Sequence, residues 1–391
     1  MAEQVKLGII GVGTMGSEHC RKLQAGEAPE VIITAVADVK ESRRAWAREN
    51  VPQAAIFEDA QSLIHSGLCD AVLIATPHYL HPVLTMEALK AGLHVLCEKP
   101  AGVYTKNVRE VNEVARQSGK TFALMYNQRT NCVYRKIKEL LSSGEMGEIK
   151  RMSWIITDWF RSQVYYDSSA WRATWSGEGG GVLINQCPHQ IDLLQWLCGM
   201  PVKVRAFCHE GKWHDVEVED DVTAYFEFEN GATGVFVTTT GDLPGTNRLE
   251  ITAERGKIVC ENDVIHLWKL PIPCQEYIET STEPFKALAC EESIVETDGC
   301  NPQHIGVIKA FAAHILRGEP LVAKGEEGIR GLTLSNAIHL SSWLNETVTI
   351  PLDEDLFYEK LQEKIKTSKP KKILQETTFV SDHQKGGELV K

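Results

Sequence analysis

Two stretches of the chain carry residue types suited to chemistry, and their spacing decides which. In GGGVLINQCPHQID, residues 179–192, Asn185, Cys187, His189 and Asp192 fall within eight positions behind three glycines. That combination reads three ways: a metal box, a catalytic helix face, or a polar stretch that opens a helix. A zinc site built on Cys187, His189 and Asp192 lacks a fourth ligand at a recognisable spacing, so no metal is expected. In CEKP, residues 97–100, Lys99 stands between Glu98 and Pro100 at the end of an apolar run. It is a candidate functional ammonium; a lone lysine there would otherwise be a solvated surface group.

A third stretch points to a cofactor. Gly11, Gly13 and Gly16, with Thr14 and Met15 between them, form G-x-G-x-x-G directly after a strand-like run and at the start of a helical one. In that context the first glycine allows a tight turn, the second lets backbone approach a pyrophosphate, and the third packs helix on strand. The phosphates would lie on the helix N-terminus. Asp38 ends the second strand 22 residues after Gly16, where a carboxylate bonds a ribose 2′-hydroxyl and repels a 2′-phosphate. NAD is therefore favoured over NADP, although Arg43 and Arg44 stand close enough to meet a phosphate. Thr76, Pro77 and His81, in TPHYLHP, and Glu98 with Lys99 cluster at strand C-terminal ends, where open α/β sheets bind ligands.

The elements that must position these residues change character along the chain. Strand-like runs at 5–10, 31–38, 70–76, 94–99 and 121–127 alternate with amphipathic segments ending on glycine, the pattern of βαβ units around a parallel sheet. From 202 onward the segments are short and strand-like, and Asn230-Gly231 suggests a type I′ hairpin in an antiparallel meander. The expected class is α/β: an N-terminal Rossmann fold followed by an α+β domain with a large, mainly antiparallel sheet. The expected boundaries are 1–127 for the NAD-binding domain, 128–352 for a substrate and oligomerisation domain, and 353–391 for a partly mobile extension. Two helical stretches near 304–318 and 327–345 should pack back on the core. With 391 residues the chain supports two cores, and a net charge of -12 argues against a nucleic-acid partner. No run approaches membrane-spanning length. MAEQVKLGIIGVG shows no export signal, and eleven scattered cysteines without a CxxC pair fit reduced thiols, so a cytoplasmic protein is expected. His209 and His214 sit in an acidic loop and read as part of a solvated turn.

GIIGVGTMG, the E-K-P of residues 98–100, the W-R of Trp171 and Arg172, and GGG…N-x-x-x-H-x-x-D, in this order, strongly resemble the glucose-fructose oxidoreductase, inositol dehydrogenase and MocA family over about residues 4–350. The resemblance implies that Lys99 and His189, with Asn185, flank a substrate hydroxyl next to a nicotinamide. The chemistry of the residues agrees. Oxidising a secondary alcohol needs a proton taken from oxygen, for which histidine, with a reference pKa of about 6.5, is suited. Lys99 would stabilise the developing alkoxide. Read as a helix, the stretch puts Asn185 and His189 on one face. Asp192 either orients that imidazole or faces the interior. The glycine run would let a loop close against cofactor or substrate.

The family preference is for sugars, glycosides and cyclitols, with oxidation at a ring secondary carbon such as C3 of a glucoside the favoured reaction. Tyr165, Trp171 and Arg172, with Asn127 and Arg129 in YNQRT, are the expected substrate contacts. The aromatics have packing as their alternative role, and Arg129 a structural ion pair. Many relatives carry Asp where this chain has Asn185. The family also implies a homo-oligomer, dimer or tetramer. Rival readings are a redox-assisted glycosidase that keeps NAD bound and a noncatalytic NAD-dependent sensor.

Overall fold

The computed structural model describes residues 3–369. Its first layer is a six-stranded, all-parallel sheet: β1 (Val5–Ile10), β2 (Val31–Ala37), β3 (Ala55–Phe57), β4 (Ala71–Ile74), β5 (His94–Cys97) and β6 (Phe122–Leu124), in the order β3-β2-β1-β4-β5-β6. Between the strands run α1 (Thr14–Gln24), α2 (Glu41–Asn50), α3 (Ala60–Ile64), α4 (Leu80–Lys90) and α5 (Thr105–Ser118). Every residue of β4 is buried, as both faces of a parallel sheet are covered by crossover helices. The edge strand β3, three half-buried residues, is too short for periodicity to announce.

The second layer is a nine-stranded sheet built from β7 (Ile149–Ile156), β8 (Lys203–Glu210), β9 (Glu219–Glu227), β10 (Thr233–Thr239), β11 (Asn247–Ala253), β12 (Gly256–Glu261), β13 (Val264–Lys269), β14 (Glu291–Val295) and β15 (Val348–Thr349). Its order is β14-β13-β12-β11-β7-β10-β9-β8-β15, antiparallel throughout except where β7 and β10 run parallel. The β9–β10 connection is a hairpin, but not the type I′ turn expected. Only Gly231, at φ 83°, has a positive φ; its N–H reaches the Phe228 carbonyl at 3.0 Å, and the Phe228 N–H reaches Ala232 at 2.9 Å. That is a type I turn closed by a left-handed glycine.

The remaining helices are α6 (Cys132–Ser142), α7 (Gln163–Asp167), α8 (Pro188–Cys198), α9 (Cys274–Thr280), α10 (Gln303–Arg317), α11 (Gly328–Leu344) and α12 (Glu354–Thr367). Sequence order assigns α10 to the second domain, yet Ile305, Ile308, Phe311 and Ala312 pack with Val5, Leu7 and Ile9 on one face of the first sheet. The chain thus returns to its first layer before β15 adds the last strand of the second. The partly mobile extension expected from 353 opens with α12, capped by Asp353 and anchored by buried Phe357 and Leu361. The SDHQKGGELVK stretch lies outside the described residues.

A buried ion pair joins the layers. Arg129 donates from Nε and Nη2 to both oxygens of Asp192 on α8, each at 2.7 Å, and from Nη1 to Glu327 at the start of α11. Its guanidinium also lies over the rings of Tyr126 and Trp196, 5.5 Å from each centroid. Arg129 and Asp192 are 4% and 1% exposed. This overturns the expectation that Arg129 contacts substrate, and it settles Asp192 as an interior residue. Removing one member of such a pair strands the other charge in a dry interior. Arg129→Leu is therefore expected to cost about 3–5 kcal/mol of stability, read as a lower midpoint in urea denaturation.

Candidate active site

Where the two layers meet, a cavity of about 1610 Å³ runs from the carboxyl ends of β1, β2, β4 and β5 to the turn before α8. Its first half is the glycine loop, and each glycine there answers a different contact. A Cβ on Gly11, at φ 89°, would stand 2.7 Å from the Ala75 carbonyl oxygen. On Gly16 it would stand 1.8 Å from the Gly11 oxygen, a collision between helix and strand. On Gly13 it would meet nothing within 4 Å, because that Cα faces the cavity. Helix α1 starts here with no side-chain cap and no acidic residue in its first turn, which leaves its N–H groups to a ligand phosphate. Asp38 accepts from Val12 N–H and Lys40 N–H, both at 2.9 Å, which holds its carboxylate at the end of β2. Arg44 is committed to the carbonyls of Asp38 and Val39 and to Glu41, whereas Arg43 lines the cavity. These residues fit a dinucleotide.

The second half gathers charged groups. Lys99 follows β5, and its Nζ donates to the backbone carbonyl of Asn185 at 2.7 Å. Burial lowers the pKa of that ammonium, against the pull of Glu98 and Glu178 and with the push of Arg172 and Arg161. Glu98 is buried, which would raise its pKa, but His19 at 2.7 Å, His304 and Lys99 hold it down at about 2. His81 was expected to contact cofactor. The cavity does reach it, but both ring nitrogens face backbone carbonyls, Nδ1 that of Pro100 at 2.7 Å and Nε2 that of Thr76 at 2.8 Å, and the neutral ring donates to one of the two. Its imidazole ties the ends of β4 and β5 together, and burial lowers its pKa.

The opening of α8 differs from the sequence reading. The helix begins at Pro188, so Asn185 lies in the preceding turn, with its N–H on Gly181 at 3.0 Å, and does not share a helix face with His189. His189 sits in the first turn of α8, buried at the cavity wall, its ring edge-on to Tyr126 at 6.3 Å. Asn185 offers its carbonyl to Lys99, and its side-chain amide donates to Glu178. Cys187 is a packed thiol, 3.0 Å from Thr238 Oγ1, which burial pushes up to about 12. The glycine run closes on protein, not on a ligand. A Cβ at Gly181 would lie 2.0 Å from the Glu219 carbonyl oxygen and one at Gly179 2.3 Å from Val103, while the Gly181 N–H meets the Glu219 carboxylate.

The same cavity is lined by a cluster of rings and guanidiniums. Arg172 lies over Tyr165 at 4.5 Å and over Trp171 at 4.7 Å, and Arg161 covers Tyr165 at 5.1 Å. Asn127 also reaches the cavity, its amide bonded to Gln303. Trp175 instead packs against Trp343 and His339 in the core. His214 is not in a solvated turn: Nδ1 meets Asp220 at 2.9 Å and Nε2 the Arg161 carbonyl at 2.8 Å. Sequence reasoning passed over Glu178, His78 and the α10 residues Gln303 and His304. Only the position of Glu178, one residue before the glycine run, could have drawn attention to it.

Residues 5–126 match the model of the oxidoreductase family with an NAD-binding Rossmann fold, and residues 134–259 match the GFO/IDH/MocA C-terminal domain. The chain belongs to the GFO/IDH/MocA oxidoreductase family. Its first domain is NAD-binding. Among similar proteins, the myo-inositol 2-dehydrogenase of Thermotoga maritima is 23% identical over 90% of this chain and 99% of its own. The D-glucoside 3-dehydrogenase of Escherichia coli is 26% identical over 58% of this chain and 68% of its own. The WlbA dehydrogenase of Bordetella pertussis, in complex with NADH and UDP-GlcNAcA, has the same fold at a TM-score of 0.76 and 24% identity, covering 90% of this chain and 99% of that one.

The glycine contacts separate folding from cofactor binding. Gly16→Ala should lower both thermal stability and NADH affinity, because helix α1 has to move. Gly13→Ala should leave the melting temperature within about 2 °C, as for a substitution that disturbs no packing, while NADH fluorescence titration shows weakened binding.

Proposed function

We propose that this protein oxidises a ring secondary alcohol of a sugar, glycoside or cyclitol with NAD as hydride acceptor, with C3 of a glucoside the favoured site. The observation that carries the reading is the pairing of Lys99, seated on the Asn185 carbonyl, with His189 on the wall of the same cavity. One of the three donors of the Lys99 ammonium is spent on Asn185, which leaves two to orient a hydroxyl and to meet the alkoxide as it forms. His189 takes the hydroxyl proton. NAD, when bound, supplies the nicotinamide that accepts the hydride. Tyr165, Trp171 and Arg172 line the same cavity as one stacked cluster, and the edges of its rings and the free N–H groups of its guanidinium suit the mixed apolar and hydroxyl surface of a sugar. The inositol and glucoside dehydrogenases among its relatives support this class of substrate.

The test is a panel of sugars, glycosides and inositols with NAD and NADP, followed by absorbance of the reduced nicotinamide and product identification. Turnover with NAD on at least one of them is expected. No reduced cofactor with any of them would overturn the reading, and net glycoside hydrolysis in its place would point to transient oxidation. Lys99→Ala and His189→Ala should each lower kcat by about 10²–10⁴-fold while NADH still binds; near-normal turnover in either would remove that residue from the mechanism. Because the Lys99 ammonium has a lowered pKa and is needed in its charged form, kcat/KM should fall on the alkaline side at a pH below the usual lysine range.

A further inference from the structure

We infer that Glu178 is a positioning residue for the proposed reaction: through the side chain of Asn185 its carboxylate fixes the carbonyl that receives Lys99, and it supplies that ammonium with its counter-charge. The inference rests on the reading of Lys99 given above. Glu178 is 1% exposed. One oxygen accepts from the Ala173 N–H at 2.6 Å and the other from the Asn185 amide, with Arg172 Nη1 4.0 Å away. A chain of three groups thus runs from Glu178 through Asn185 to the Lys99 Nζ, and Glu178 and Lys99 act on each other electrostatically.

Packing alone does not explain an acid here. Burying a carboxylate costs free energy that a neutral residue of similar volume would not incur. Its donors do not offset that cost in full, since burial raises Glu178 to about 7 against the lowering effect of Arg172, Ala173 and Asn185. The second carboxylate beside Lys99, Glu98, is already matched to His19. Glu219 on β9 adds negative charge behind Glu178 but itself accepts from the N–H groups of Gly181 and Leu183, with His339 Nε2 3.0 Å away. His78 meets only the backbone carbonyl of Glu178, at 3.0 Å, and burial lowers its pKa, so it brings no positive charge. Glu178 is therefore the carboxylate whose charge is shared between Arg172, 4.0 Å away, and Lys99, one link behind an asparagine that carries none.

The sign follows. Ionised Glu178 favours the charged form of Lys99; without that charge, Lys99 gives up its proton at lower pH. The test reads Lys99 directly in the full chain with NAD bound, by competitive acetylation with acetic anhydride across pH and mass spectrometry of the Lys99 peptide, so it needs no turnover. In Glu178→Gln the midpoint should move to lower pH than in the wild type, and an unmoved midpoint overturns the inference whatever the substrate panel shows. In Glu178→Gln combined with Asn185→Asp, which moves the charge one link forward, the midpoint should return toward the wild-type value; no return overturns the charge role. If Glu178→Gln does not fold, Glu178→Met, a neutral residue of similar volume, is held to the same shift. On any substrate that passes the panel, Glu178→Gln should lower kcat by about ten-fold or more, the scale of a lost charge-assisted hydrogen bond, with a smaller change in KM. The acid limb of its kcat/KM profile should involve one proton fewer, which a purely structural role would not produce.

Discussion

The buried Arg129–Asp192 pair is the constraint on which the geometry of the site depends. Asp192 is on α8 three residues after His189, and Arg129 lies in the helical turn Asn127–Thr130 that follows β6, so their two hydrogen bonds tie the helix to the segment leaving that sheet. Glu327 draws the start of α11 to the same guanidinium. Lys99 hangs from the neighbouring strand β5, and its distance from His189 is thus set by protein charge before any ligand arrives. A rigid link suits a reaction in which a proton acceptor and an ammonium must address one oxygen, since misplacement by about 1 Å is costly to rate.

Around this link the interior places its carboxylates in three different settings. Glu98 is matched to His19 and stays ionised far below neutrality, which keeps the end of β5 in place. Glu219 is absorbed by backbone N–H groups of the glycine run, with His339 beside it, and it fastens that run to β9. Glu178 has weaker partners and sits near its ionisation point at neutral pH. The same residue type serves as anchor, fastener and adjustable charge according to which donors and charges meet it.

Much of this was legible without coordinates because the signals are local. The glycine triplet, the aspartate after the second strand and the alternation of apolar runs with amphipathic segments each arise within one βαβ unit, so spacing along the chain is spacing in space. Lys99, His189, Asn185 and the ring-bearing 165–172 stretch could be picked out by residue type, and the cavity does bring them together. The misreadings share a cause: each required a partner far away in sequence. Arg129 read as a substrate contact, with an ion pair as its alternative, until Asp192 and Glu327 met it; His81 read as a cofactor contact until the Pro100 and Thr76 carbonyls met its ring; the glycine run read as a loop closing on a ligand until β9 and Val103 filled the space beside it.

Residue order along the chain was thus enough for the parallel-sheet class, the dinucleotide loop and the choice of candidate reactive side chains, since these depend on residue type and on backbone preferences and periodicities spanning fewer than about 30 residues. The return of α10 to the first sheet, the carbonyl that holds Lys99 and the environment of Glu178 were decided only by tertiary structure. The physical reason is that a side chain's charge state and hydrogen-bond partners depend on burial and on groups up to about 200 residues distant in sequence, and neither has a periodicity to read.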